Sequence, residues 1–147
     1  MATQNRETAR DALVTLLSAA LTGAGNPCQA VIGHKPGADD IAGRSPLVSV
    51  QSAGTERLRF TAAGTRPNFY FQLDTWVLLK ATGWTKANAE DTLDEIEQTI
   101  AQVVEDNQAT ANWGALDYDG RSTIMDVAFD GVPYIREVIL IKVAVLK

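Results

Sequence analysis

The sequence contains one cysteine and one histidine among its 147 residues. A disulfide needs two thiols, so Cys28 excludes a bridge within the chain, and we expect a fold suited to the cytoplasm by default. Because Cys28 lies beside an apolar segment, we interpret it as a small buried hydrophobe and not as a nucleophile. His34 has no second histidine or thiol near it in sequence, which favours a solvated loop residue over a metal ligand or a general base.

Long apolar runs are also absent. No stretch of the sequence approaches the ~20 apolar residues that a transmembrane helix needs. The N-terminus lacks the basic cluster and the unbroken apolar core of a secretory signal. We therefore expect no membrane partner.

Motifs for catalysis and cofactor binding are missing as well. The glycine-rich segment 23–27 follows a predicted helix instead of preceding one, so it does not form the phosphate-binding turn of a nucleotide fold. Asp117, Asp119 and Asp126 suggest a calcium loop, but this alignment places Ala115 where the first carboxylate is required. No nucleophile elbow or zinc-ligand spacing occurs. We predict that the chain is not an enzyme and that it has no catalytic residue, metal site or cofactor.

Positive charge is absent from residues 88–106, which contain seven acidic residues. Because the whole chain carries −5 and this segment carries −7, the remainder carries only +2. Such a chain lacks a broad electropositive surface for phosphates, so sequence-independent nucleic-acid binding is disfavoured. The seven acids are Glu90, Asp91, Asp94, Glu95, Glu97, Glu105 and Asp106.

Apolar residues at three- and four-residue spacing predict two long helices, Arg6–Leu21 and Asn88–Asp106. Asn88 is the expected N-cap of the second helix. All seven acids lie off its apolar stripe. Glu90 faces Asp94 at the four-residue spacing, where like charges repel by about 0.2–0.5 kcal/mol.

Shorter apolar segments predict strands, and one dipeptide predicts a tight turn. In the terminal run 138–146, the side chains that point to either face of a strand are apolar. Such a strand must be covered on both faces, or on one face by the chain and on the other by a partner. We therefore assign it as the central strand. Asp130-Gly131 predicts a tight hairpin between it and the preceding strand. The segments Ser52-Ala53-Gly54 and Gly83-Trp84-Thr85 are expected to end strands. The predicted strands are 30–32, 47–51, 57–60, 69–80, 123–129 and 138–146.

Residues 33–45 are polar, rich in glycine and without a period, which predicts a mobile loop. Loops of this length in a compact domain are often functional, so this is the first candidate for contacting a partner. Its candidate contact residues are His34, Lys35, Asp39, Asp40 and Arg44. Outside the loop, Trp84 lacks a basic track for stacking on bases, so we predict that it packs in the core or at an interface.

Arg57 and Arg59 alternate with Leu58 and Phe60, which predicts a half-exposed strand with both arginines on one face. The simplest interpretation is that these arginines and the acidic helix are two solvated faces. The alternative is assembly. Arg57, Arg59 and Arg66 would then meet the acids of an identical neighbour in a head-to-tail contact that closes into a ring.

The order of elements is a helix, a long glycine-rich loop, several strands, an acidic amphipathic helix and a closing hairpin. With Arg10-Asp11-Ala12-Leu13 on the first helix and the segment 131–143 at the end, the chain resembles the tail terminator (tail completion) proteins of long-tailed bacteriophages. The resemblance spans nearly the whole chain. It implies one α+β domain over residues 1–147, with a mixed, mainly antiparallel sheet flanked by two main helices.

The resemblance also implies a structural virion protein, assembled in the host cytoplasm and located in the phage tail. Such proteins form a homohexameric ring at the head-proximal end of the tail tube, stop tube polymerisation and join the head connector. The implied partners are further copies of the chain, the tail tube protein and the head–tail connector protein. DNA passes through the ring without specific binding, so an acidic lining suits the lumen. The candidates for the lumen or for a neighbour contact are Glu90, Asp91, Asp94, Glu95 and Glu97.

Two alternatives remain open. Another head–tail joining or neck protein would share the size and the symmetry of a terminator. A small ligand-binding regulatory α+β domain of a bacterial host belongs to a different class. The mass of the protein in solution separates a ring from such a domain.

Overall fold

The computed structural model describes residues 5–41, 44–61, 64–79 and 86–145. These residues form a single α+β domain with a mixed sheet. In chain order the elements are α1 (Arg6–Leu21), β1 (Ala30–Ile32), α2 (Ala38–Ile41), β2 (Leu47–Thr61), β3 (Gly64–Leu78), α3 (Lys86–Asp106), β4 (Ala115–Tyr118), β5 (Thr123–Phe129) and β6 (Val132–Ala144).

Helix α1 has the predicted bounds. It begins after Asn5, whose side-chain oxygen accepts a hydrogen bond from the backbone N–H of Thr8 at 2.7 Å, and this bond satisfies one free donor of the first turn. Its buried residues recur at the spacing of one helical face, which packs on the sheet. They are Ala9, Leu13, Leu17 and Leu21.

Helix α3 buries the predicted apolar stripe, but it begins at Lys86, so the assignment of Asn88 as its N-cap is wrong. Lysine and alanine favour helix, which is consistent with the helix beginning two residues earlier than predicted. The buried stripe consists of Ala89, Leu93, Ile96, Ile100 and Val103.

The strand order is β1-β2-β3-β6-β4, and β5 also pairs with β6. The β1–β2 pair is parallel, and the other pairs of the described strands are antiparallel. Strand β6 lies between β3 on one side and β5 with β4 on the other, which confirms the prediction of an interior strand. It begins at Val132, earlier than predicted, while Leu146 of the predicted run lies outside the described residues.

The prediction that residues 52–54 end a strand is wrong. Strand β2 continues to Thr61, and its register against β3 shifts between Ser52 and Gly54. Gly54 has a φ of 139°, which glycine tolerates, so the chain absorbs the extra residue as a bulge and the pairing continues. The predicted strand at 57–60 is therefore the far half of β2.

One face of the sheet, the helix face, packs against α1 and α3. The alternate side chains of β3 that were predicted to face the core are buried. They are Phe69, Phe71, Leu73, Thr75 and Val77. The opposite face, the second face, has a smaller apolar cluster. That cluster includes Ile32, Ile41, Leu47, Trp76 and Tyr134.

The segment predicted to be a structureless loop contains the four-residue helix α2. Ile41 at the end of this helix is 1% exposed and packs into the cluster on the second face, so its burial accounts for the ordered turn. Four residues are too few for a helical period to be visible in the sequence. The predicted mobility of the segment stays a prediction.

Candidate functional site

The far ends of β2 and β3 extend beyond the rest of the sheet. The last pair between β3 and β6 is Asn68 with Ala144, whereas β2 and β3 continue to pair up to Thr61 with Gly64. Among the described strands, no third strand pairs with residues 57–61 and 64–66, which we call the arm. Isolated two-stranded hairpins are marginally stable in water, so an exposed arm favours a partner.

The arm has an arginine on each face and an exposed apolar residue on one of them. Arg57 is exposed and Leu58 is 50% exposed, so this strand, predicted to be half-exposed, is open to solvent on both faces at these residues. Arg57 is opposite Pro67, and Leu58 is opposite Arg66. Residues that face each other across an antiparallel pair share a face, so Arg66 lies on the opposite face from Arg57. The backbone of Arg59 pairs with Thr65, two residues further along the arm from Arg57.

A groove of about 490 Å³ lies where α3 crosses β5 and β6. We call it the acidic groove, because three carboxylates line it together with exposed Ile124, which is 54% exposed. Asp94 and Glu97 contribute from α3, and Glu137 contributes from β6. Its lining residues are Asp94, Glu97, Gln98, Ala101, Ile124 and Glu137.

Glu137 is 3% exposed at the base of this groove. The Oγ–H of Ser122 donates a hydrogen bond of 2.7 Å to its Oε2. Burial raises the pKa of Glu137, and the negative charges of Glu97 and Asp94 raise it further, while the bond from Ser122 acts in the opposite direction. A cation entering the groove would stabilise the ionised form of this carboxyl.

The five acids proposed for the lumen or for a neighbour do not form one patch. Asp94 and Glu97 line the groove, whereas Glu90, Asp91 and Glu95 do not. Glu95 instead lies near Cys28, since its charge contributes to raising the pKa of that thiol to about 12, after the larger effect of burial. Cys28 is 5% exposed and unpaired, which agrees with its interpretation as a buried hydrophobe.

The loop residues form a local contact. His34 Nε2 lies 3.3 Å from Asp40 Oδ2, which also accepts a hydrogen bond from the backbone N–H of Gly37 at 2.9 Å. The bond from Gly37 lowers the pKa of Asp40, and His34 adds to this effect. His34, Lys35, Asp39 and Arg44 are exposed, and Asp40 is half-buried. Trp84 lies outside the described residues.

Sequence reasoning missed a polar cavity of about 370 Å³ on the second face. At its centre Asp74, 2% exposed, forms an ion pair with Arg136, whose Nη2 lies 2.6 Å from Oδ2. Gln51 and Gln72 each donate a side-chain hydrogen bond of 2.8 Å to the same carboxylate. The walls of the cavity include Lys35, Gln51, Gln72, Asp74, Trp76, Phe129 and Arg136.

The described residues contain no group of three or more His, Cys, Asp or Glu side chains arranged to hold a metal ion. Of the helices described, none combines the length and the hydropathy that crossing a bilayer requires. The arm, the acidic groove and the polar cavity are therefore the candidate functional surfaces. Neither the models of known protein families nor the curated proteins gave a match to this chain.

Proposed function

We propose that this chain is a structural subunit that assembles head to tail into a closed ring, as the tail terminator proteins that it resembles do. The ring would sit at the head-proximal end of a phage tail tube, end tube polymerisation and join the head connector. The mainly antiparallel sheet with α1 and α3 as its two main helices supports this proposal. The observation that carries it is that one chain has both a projecting arm with exposed Arg57 and a groove lined by three carboxylates.

The arm of one chain is too far from the groove of the same chain to enter it. Glu137 in the groove pairs with Thr75 of β3, and Arg57 on the arm pairs with Pro67 of the same strand. Eight residues of extended strand separate these two positions, or roughly 26 Å. A contact between arm and groove therefore joins two copies through different surfaces, which is the arrangement that produces rings.

The two surfaces are chemically complementary. An arm lying in a neighbour's groove would present Arg57, on one face, to the carboxylates of Asp94 and Glu97 on α3, and would bury Leu58, on its other face, against Ile124 on β5. Both apolar side chains are at least half exposed in the single chain, so their contact removes apolar surface from water. The arginine would also offset the repulsion among the acids of the groove.

The proposed contact also determines which acids of α3 remain for the lumen. Asp94 and Glu97 would meet the arm, which leaves Glu90, Asp91 and Glu95 exposed on α3 for the lumen. Negative charge on the lumen would keep the phosphates of passing DNA from binding. DNA would then cross the ring without a specific contact.

Charge reversal tests the contact. The double variant Arg57→Glu/Arg59→Glu should lose the ring, and adding Glu90→Lys/Asp94→Lys should restore it, with mass measured by light scattering after size exclusion. A second rescue pair, Asp94→Lys/Glu97→Lys, should restore it more fully, because both of its positions line the groove.

Arg44→Glu is the control, since it reverses an exposed arginine of the loop that belongs to neither surface. A ring that persists in the Arg57→Glu/Arg59→Glu variant would refute the contact. A wild-type protein that stays monomeric or dimeric at all concentrations and salts, including with tail tubes present, would favour the host-domain alternative.

The position in the virion has its own test. Loss of the gene should produce overlong tails that lack heads, as seen by electron microscopy of lysates. Tails of normal length that fail to join heads would instead indicate the other head–tail joining or neck protein.

A further inference from the structure

We propose that the polar cavity on the second face is a binding site for a small organic carboxylate with an apolar body. This inference is independent of the ring, because it rests on residues that belong to neither the arm nor the acidic groove. The volume of the cavity, about 370 Å³, lies within the range of small-molecule sites.

Two buried N–H donors on residues that line the cavity make no hydrogen bond among the described residues. Within the part of the chain that the structure describes, Nε1 of Trp76 and Nε of Arg136 have no hydrogen-bond partner, although both atoms are buried. Leaving a buried donor unsatisfied costs roughly 1–3 kcal/mol. Both atoms are N–H donors, so the group that satisfies them must be an acceptor.

The charge of the cavity favours an anion. Asp74 is already compensated, since its two oxygens accept hydrogen bonds from Arg136, Gln51 and Gln72. Lys35 adds a second positive charge to the wall without an ion-pair partner among the described residues. With Asp74 neutralised by Arg136, the lining carries a net charge of +1, which attracts a single negative charge.

The aromatic residues that line the cavity favour a ligand with an apolar body. The ring of Trp76 meets that of Phe129 edge to face at 5.4 Å between centroids, and the guanidinium carbon of Arg136 lies 5.0 Å from the Trp76 centroid. An apolar body would pack against these rings, while a planar carboxylate offers two oxygens to two N–H donors. Phosphate lacks an apolar body, so it would leave the aromatic wall uncovered.

Titration with benzoate tests the site on the full-length protein labelled with ¹⁵N. The chain has three tryptophans, so it gives three indole N–H signals, and Trp76→Phe identifies the one from the cavity. That signal should shift saturably with benzoate at fixed pH and ionic strength. Benzamide, which has the same shape without the charge, should bind at least tenfold more weakly, and inorganic phosphate should not saturate.

Two matched variants test whether the positive charge of Lys35 contributes to benzoate binding. Lys35→Gln should weaken benzoate binding by threefold or more, whereas Arg44→Gln, which removes a loop cation that does not line the cavity, should leave it unchanged. An indole signal of Trp76 that does not move, or one that moves equally with benzamide or with phosphate, would overturn the proposal. If Trp76→Phe fails to fold, the absence of any shift in all three wild-type indole signals would still overturn the proposal.

Discussion

The two faces of the sheet differ in what their side chains contribute. On the helix face, β3 presents a continuous row of buried side chains, with Phe69, Phe71 and Leu73 fully enclosed by α1 and α3. On the second face, the same strand presents Tyr70, Gln72 and Asp74, and it is only partly covered. The comparison teaches that stability comes mainly from one face, which leaves the other free to carry polar groups.

The largest expected effect is loss of an aromatic ring from the helix face. Phe71→Ala should lower the free energy of unfolding by about 3–5 kcal/mol, because it removes a large buried side chain and leaves a cavity. Tyr70→Ala is the matched control, since Tyr70 is the adjacent residue of the same strand on the second face and is half-buried. Urea denaturation measures both. Equal losses in the two variants would contradict the difference between the faces.

A smaller loss is expected from the ion pair on the second face. Asp74→Ala leaves the guanidinium of Arg136 without its carboxylate and should cost about 2 kcal/mol, below the full effect of a deeply buried pair because Arg136 is 24% exposed. The double variant Asp74→Ala/Arg136→Ala should lose less than the sum of the two single variants. Additive losses in urea denaturation would show that the pair is not coupled.

The smallest expected change in the free energy of unfolding comes from Glu137 on the helix face, where a substitution should stabilise the protein. Burial raises the pKa of Glu137, so the folded state holds its proton more tightly than the unfolded state does. The free energy of unfolding then falls as pH rises from the unfolded pKa through the raised folded pKa, and it remains lower above that window. Glu137→Gln does not titrate and should therefore be more stable than the wild type at neutral pH.

Thermal unfolding of the monomer between pH 4 and pH 8 measures this difference. The monomer is used because, in the proposed ring, a neighbour's arginine would stabilise the ionised carboxyl. The gap between Glu137→Gln and the wild type should widen as pH rises. Glu105→Gln, at an exposed acid near the end of α3, is the control and should leave the profile unchanged. A gap that stays constant with pH would contradict the raised pKa.

Local patterns predicted the helices and the interior strand, because their signals lie within a few residues. The extent of α1 follows from its apolar stripe and its end from Gly23 after it, whereas its cap at Asn5 was not predicted. The bulge at Gly54 was not predictable in the same way, since a bulge is defined by the partner strand. A glycine that ends a strand and a glycine that bends one look alike in sequence.

The polar cavity was missed because its central pair, Asp74 and Arg136, is separated by 62 residues. One signal was available. Asp74 interrupts a strand that is otherwise mostly apolar, and Arg136 precedes the apolar run of β6, so both are charges at positions where a partner is required. The acidic groove was found only in part, because Asp94 and Glu97 are visible on the helix while Ile124 and Glu137 join them through the sheet.

The state of the lone thiol has a practical consequence. With its pKa raised to about 12, Cys28 has almost no thiolate at neutral pH, and alkylating reagents need the thiolate. A cysteine introduced at exposed position 44, which belongs to neither the arm nor the acidic groove, would therefore be the single labelling point on an otherwise native chain. Spectroscopic rulers attached there would report the spacing between adjacent copies in the proposed ring without removal of any natural residue except Arg44.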